Sequence, residues 1–201
     1  MANRYVLIVD AGTSGPRCLV FNENADVAGA CAREWSYLAE EDASPLARAF
    51  DPDVLWSSFC ELITGALREA KVPPGGIAAV SVTSQRQATV FLDQAGQEIY
   101  AGPNLDLRAV FEGASIDEEL GDTVYQITGH LPSFLMAPAK LRWFQLHRPD
   151  TYGKIAFALT LADWLAWRLT GTMASEPTLA GEAGLLDIHR RDWCMGLLDQ
   201  M

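Results

Sequence analysis

Between Tyr5 and Asn22 the chain reads Y-V-L-I-V-D-A-G-T-S-G-P-R-C-L-V-F-N. Two apolar, strand-like runs flank a compact turn that holds Asp10, Gly12, Thr13, Ser14, Gly15 and Arg17. These residue types suit one task, holding a phosphate group together with its metal. Gly12 and Gly15 let the backbone come close to phosphate oxygens, and Thr13 and Ser14 add hydroxyl donors. Asp10 would face Mg2+ through water, since that ion keeps several waters of its own. Arg17 offers a cation or a structural partner for the acid. The segment differs from the Walker pattern, because no G-K-[ST] occurs and no helix follows the turn. The turn makes the chain a candidate for ATP use. The plain alternative is a hairpin whose Asp and Gly merely shape the bend.

Two further stretches set polar side chains where a ligand could meet them. Thr83-Ser84-Gln85-Arg86-Gln87 closes an apolar run that reads as a strand, and ligands of open α/β sheets gather at the carboxyl ends of strands. Arg86 is there a binding residue or a surface cation bonded to a nearby loop. In Asn104-Leu105-Asp106-Leu107-Arg108, Asp106 reads as a helix N-cap or as an acid beside a ligand. His130, His147 and His189 lie near no Ser or Cys in a nucleophile pattern, and G-x-S-x-G is absent. His147 stands at a helix end, where it can complement the dipole. Cys18, Cys31, Cys60 and Cys194 form no C-x-x-C and no zinc spacing. Reduced thiols in a cytoplasmic protein are expected, with Cys18 and Cys60 buried. Trp143, Trp164 and Trp167 read as core or interface. Glu40-Glu41-Asp42 and Arg190-Arg191-Asp192 read as solvated surface.

The elements that must position these groups follow from local signals. Tyr5–Asp10 reads as a strand buried on both faces. Arg17–Asn22 and Val27–Trp35 complete an antiparallel meander. Ser36–Phe50 has no period and reads as a loop. Asp51 caps a helix with Pro52 at its first position, and Leu55, Phe59, Leu62 and Ala66 form its apolar stripe. Ile77–Thr83 is β-branched and apolar, the pattern of a central strand. Thr89–Leu92 and Glu98–Tyr100 flank a hairpin turn at Asp93–Gln97. Helices are expected over 106–120, 122–128 and 138–147. Another runs from Thr160 to Thr170, with a Thr160/Asp163 capping box and Gly171 just past its end. Strands are expected at 155–159 and 184–188, and a last helix at 192–200. The 201 residues are 49% hydrophobic, enough for a sizeable core. A net charge of −11 argues against a nucleic-acid partner. No run approaches the ~20 apolar residues of a membrane span, and the first is too short for a signal-peptide core. A soluble, cytoplasmic protein is expected.

Taken in order, these pieces resemble the FGGY family of carbohydrate kinases over nearly the whole chain. The family's acid-x-G-T-[ST]-x-x-R turn is matched by Asp10 to Arg17, its substrate loop by S-V-T-S-Q-R-Q-A-T-V, and an N-x-D-x-R-like stretch by Asn104–Arg108. P-A-K-L-R-W, L-A-D-W-L-A-W-R-L-T-G and G-L-L-D-I-H-R-R-D-W are similar to its later landmarks. The resemblance implies an α/β fold, an actin-like ATPase or ribonuclease H-like domain. Its mixed central sheet is antiparallel in the first three strands and carries helices on both faces. It implies that residues 1–201 are the N-terminal substrate-binding domain of a longer kinase, with ATP held mostly by a second domain. The family's general-base Asp has no match in Asp187–Met201, so no catalytic residue is assigned here and the base is expected beyond residue 201.

By the same resemblance Asp10, Gly12, Thr13, Ser14, Gly15 and Arg17 bind phosphate, with Asp10 toward the metal. Arg86, Gln87, Asn104 and Asp106 bind the substrate. The glycerol-kinase branch usually has Glu where Gln87 stands, and the xylulose-kinase branch Met-His at 86–87. Trp35, Tyr37 and the 178–193 segment look like the autoinducer-kinase branch. The implied activity is in-line transfer of the ATP γ-phosphoryl group to a sugar or polyol hydroxyl, with ATP and Mg2+ as cofactors. No membrane partner is expected, and a homodimer is among the assemblies open to the chain. The 201 residues alone are expected to show no turnover. The alternatives are a non-catalytic actin-like nucleotide switch and a stand-alone sugar-binding module.

Overall fold

A computed structural model of the chain describes residues 4–40 and 43–201. The chain divides into two compact units, one made of residues up to Ser36 with Asp51–Gln85, the other of Tyr37–Phe50 with Arg86–Met201. The first unit opens with β1 (Tyr5–Gly12), β2 (Gly15–Phe21) and β3 (Val27–Ala32). They pair antiparallel, as the meander pattern predicts. Leu7, Val9 and Ala11 of β1 are buried, while Val6 is exposed and Ile8 half-buried. The first half of β1 is therefore packed on one face only, where its continuous apolar run predicts burial on both. The chain then leaves for the second unit, where β4 (Leu38–Ala39) and β5 (Arg48–Ala49) pair antiparallel inside the stretch read as a loop.

Returning, the chain forms α1 (Pro52–Ala70). The Asp51 carboxylate accepts from the Asp53 and Val54 amides at 3.0 and 3.1 Å, a cap that contributes about 1 kcal/mol. Leu55, Phe59, Leu62 and Ala66 are buried. The helix backbone lies close against β3. A Cβ on Gly29 would come within 2.5 Å of the Ala66 carbonyl oxygen and the Ala70 nitrogen, so any side chain there would push the helix away. β6 (Ile77–Ser84) then adds parallel to β1, giving the order β3-β2-β1-β6. This corrects the expectation of a buried central strand, since β6 ends the sheet and Ala78, Ala79, Val80 and Ser81 are exposed. Its composition encodes strand propensity; it does not encode what lies over the strand.

The second unit holds β7 (Thr89–Leu92) and β8 (Glu98–Gly102), joined by a turn in which Asp93 Oδ1 accepts from the Ala95 and Gln97 amides. The expected helices at 106–120 and 122–128 are one helix, α2 (Val110–Thr128). Then come α3 (Ala137–His147), α4 (Pro149–Tyr152), β9 (Phe157–Thr160), α5 (Leu161–Thr170) and α6 (Pro177–Glu182). The expected strand at 184–188 shrinks to β10 (Leu186–Asp187), paired with β11 (Asp192–Trp193), and the last helix to α7 (Met195–Leu198). The order β8-β7-β9 puts β7 in the middle, which is why all four of its residues are buried. The Thr160 hydroxyl caps α5 and Gly171 ends it at φ 75°. Phe91, Tyr100, Trp143 and Phe144 form an aromatic core, with ring centroids 5.1–5.8 Å apart between neighbours. Trp164 is fully buried and donates to Glu98 at 3.0 Å. Among the described residues no helix is long and apolar enough to cross a membrane.

Candidate functional site

In the first unit, strand register sets Asp10 opposite Arg17 and Gly12 opposite Gly15. Thr13 and Ser14 are thereby forced to the exposed tip of the hairpin. Arg17 Nε donates to Asp10 Oδ2 at 2.6 Å, so the cation pairs with the acid across the strands. Gly15 has φ 153°, and a Cβ there would collide with the Arg33 carbonyl oxygen; only glycine fits. The Trp35 indole donates to the Gly12 carbonyl at 2.8 Å and braces the bend. A Cβ on Gly12 would lie 3.4 Å from Asp10 Oδ1, so its absence leaves room beside that oxygen. Carboxylate and hydroxyl oxygens are the donors a hard cation prefers. Among the described residues no group of three His, Cys, Asp or Glu side chains could hold a metal. An ion at Asp10 would take its other ligands from water and a bound phosphate, which fits Mg2+.

In the second unit, Arg86 and Gln87 meet two residues that sequence reasoning did not single out together. Glu182, the last residue of α6, places Oε1 3.4 Å from Gln87 Nε2 and 3.7 Å from Arg86 Nη1. Its Oε2 lies 3.5 Å from His130 Nε2. The Glu182 side chain is 15% exposed and that of Arg86 77%. Gln87 sits at φ 62°, in the left-handed region, a backbone form that non-glycine residues keep only when their surroundings hold it. Lys140, fully buried on α3, does so: its Nζ donates to the Gln87 carbonyl at 3.3 Å and to the Pro103 carbonyl at 3.4 Å. Burial pushes the Lys140 ammonium down from 10.5 to about 8, with Asp106 opposing and Arg108 reinforcing the shift. His130 is set by the end of α2, where Gly129 adopts φ 76° and the His130 amide donates to Thr128 Oγ1. α6 is set by Glu176, whose carboxylate accepts from the Thr178 and Leu179 amides.

Asp106 is placed elsewhere than its sequence neighbourhood suggests. It does not cap α2, which starts at Val110 with Ala109 at the cap position. Its carboxylate is fully buried and accepts from Arg108 Nε at 2.6 Å, from the Arg48 amide at 2.9 Å, and from the Tyr100 hydroxyl. A buried charge needs such partners, and they outcompete a cap. Arg108 also pairs with Glu40 at 2.8 Å, so Glu40 is half-buried and bonded, where its acidic run reads as solvated surface; Glu41 and Asp42 lie outside the described residues. Burial first, and the Asp106 charge second, push the Tyr100 phenol well above its ordinary range. Asn104 is half-buried. His147 bonds the Glu112 carboxylate at 2.8 Å, a more specific role than dipole complement. Cys18 is buried, its thiol pushed up to about 12 by burial and by the nearby Cys31 and Asp10. Cys60 is exposed, against expectation, because it lies off the buried stripe of α1.

The fold is the actin-like, ribonuclease H-like one of carbohydrate kinases. A gluconate kinase from Lactobacillus acidophilus superposes with a TM-score of 0.86 at 19% identity, over 98% of this chain and 39% of that one. A xyloylose kinase from Brucella ovis superposes with a TM-score of 0.85 at 26% identity, over 96% and 39%. Residues 5–201 match the model of the FGGY family of carbohydrate kinases, N-terminal domain, and the chain belongs to that family. An autoinducer-2 kinase from Salmonella typhimurium is 34% identical over 201 residues, covering 98% of this chain. The chain spans 38% of the length of that relative.

Proposed function

We propose that residues 1–201 act as the substrate-binding domain of an ATP-dependent sugar or polyol kinase, with both compact units serving that one role. The observation that carries the reading is the β1–β2 hairpin, with two exposed hydroxyls at its tip and a glycine gap beside Asp10 Oδ1. Asp10 would hold Mg2+ through water, and the bound ion would neutralise charge on the transferring phosphoryl group. Thr13, Ser14 and the backbone at Gly12 and Gly15 would meet phosphate oxygens, while Arg17 keeps Asp10 oriented. Arg86 and Gln87 would orient substrate hydroxyls, with Asn104 nearby in sequence to Pro103, which Lys140 ties to the same loop. Asp106, fully buried, would contribute by fixing Arg108, Tyr100 and the Arg48 amide rather than by touching substrate. A cytoplasmic location is part of the proposal, supported by free cysteines. So is self-association, supported by β6 at the end of its sheet with Ala78, Ala79, Val80 and Ser81 exposed.

The relative named autoinducer-2 kinase puts autoinducer-2 first on a substrate panel, followed by xylulose and glycerol. Ligand-observed NMR on the 201-residue chain tests the reading. A panel member should bind, and Arg86→Ala should weaken that binding by about tenfold, the worth of a hydrogen bond to a charged group. A chain that binds none of them, or an Arg86→Ala variant that binds equally, would refute it.

A further inference from the structure

The sugar-kinase reading leaves Glu182 without a role, yet three side chains, two from the 86–87 loop and one from just past α2, converge on it. Gln87 reaches it across 95 residues of sequence, His130 comes from the end of α2, and Arg86 leans over it from solvent. All three contacts, at 3.4, 3.7 and 3.5 Å, are longer than the about 2.7–2.9 Å of a tight charge-assisted bond. A carboxylate that is largely but not fully desolvated gains from stronger donors than these. A hydroxyl group can supply them, donating to Glu182 while accepting from Arg86 or Gln87. Two neighbouring hydroxyls could use both carboxylate oxygens. A substrate carboxylate could do neither, and would set like charge against Glu182 in a partly desolvated place.

We propose that Glu182 is a specificity-determining residue. With Arg86, Gln87 and His130 beside it, its carboxylate binds a hydroxyl pair of a neutral sugar or polyol and turns away carboxylated analogues. The proposal rests on the sugar-kinase reading. Glu182→Gln keeps shape and size while removing the charge, and Glu182→Asp keeps the charge.

The test is ligand-observed NMR on the 201-residue chain with D-xylulose and glycerol as neutral probes and D-gluconate as the carboxylated one. The wild-type chain should prefer a neutral probe. Glu182→Gln should weaken that probe by about tenfold and strengthen gluconate, narrowing or reversing the preference. Glu182→Asp should still exclude gluconate. If Glu182→Gln leaves the neutral-to-gluconate ratio unchanged while Arg86→Ala weakens the neutral probe, the Glu182 assignment falls and the sugar reading stands. If no probe binds the wild-type chain, both fall. Circular dichroism of each variant verifies that it is folded.

Discussion

Replacing Lys140 by Met should change how stability depends on pH, in one direction and in one window. The Lys140 ammonium is fully buried and its folded-state value is about 8 against 10.5 for a free lysine. The unfolded chain therefore keeps its proton to higher pH than the folded one. Well below pH 8 the folded state bears the whole penalty, about 3–4 kcal/mol at ~1.4 kcal/mol per pH unit. As pH rises from 8 to 10.5 the penalty is relieved, because the unfolded state then binds more protons. Between pH 8 and 9 the relief comes to about 1 kcal/mol. Cys18 works the other way: its thiol, raised from 9.0 to about 12, stabilises the fold below pH 9 and loses that effect above it. A difference between wild type and Lys140→Met cancels Cys18 and isolates the lysine. The assay is urea unfolding at pH 7, 8, 8.5 and 9, followed by the fluorescence of the buried Trp143 and Trp164. Wild type should gain about 1 kcal/mol on the variant between pH 8 and 9. Parallel curves across that interval would refute the claim that Lys140 anchors the Gln87 and Pro103 carbonyls from a desolvated site.

Gly15→Ala should destabilise the first unit by about 2 kcal/mol or more, from positive φ and the clash with the Arg33 carbonyl; an unchanged Tm would sink that argument. Gly12→Ala should leave Tm nearly unchanged, since its Cβ meets ordinary contacts, but should crowd Asp10 Oδ1 and weaken any Mg2+-dependent nucleotide binding. Asp106→Leu and Arg108→Met should each cost about 3–5 kcal/mol by stranding a buried charge, and the double variant clearly less than their sum. Additive losses in chemical denaturation would remove the pair from the core's accounting. In the native chain a thiol reagent should modify Cys60 at once, and Cys18 and Cys194 only after denaturant is added; early loss of the Cys18 thiol would contradict its burial.

What the sequence made legible is what short stretches of chain decide by themselves. Asp51 with Pro52, Thr160 with Asp163, and Gly171 each act within a few residues, so the ends of α1 and α5 could be read directly. The β1–β2 hairpin is of the same kind, because its turn residues and its register are one local fact. The errors fall where a distant partner decides. Asp106 has a capping residue's identity, but Tyr100, Arg108 and the Arg48 amide claim its oxygens. β6 has a central strand's composition, yet it ends the sheet. Cys60 sits in an apolar helix yet points outward, because a helical stripe is narrower than the run that contains it. Glu182 carries the weakest local signal of all. Pro177 at the start of α6 is a genuine helix signal, but Glu176 before it is an uncommon cap. Nothing local ties position 182 to 86, 87 or 130. That convergence depends on where α2 ends, where α6 ends and how Lys140 holds the Gln87 backbone, three facts of packing. Motif matching therefore finds the groups that meet a phosphate, which come from one hairpin, more readily than those that select a sugar, which the packed fold must bring together.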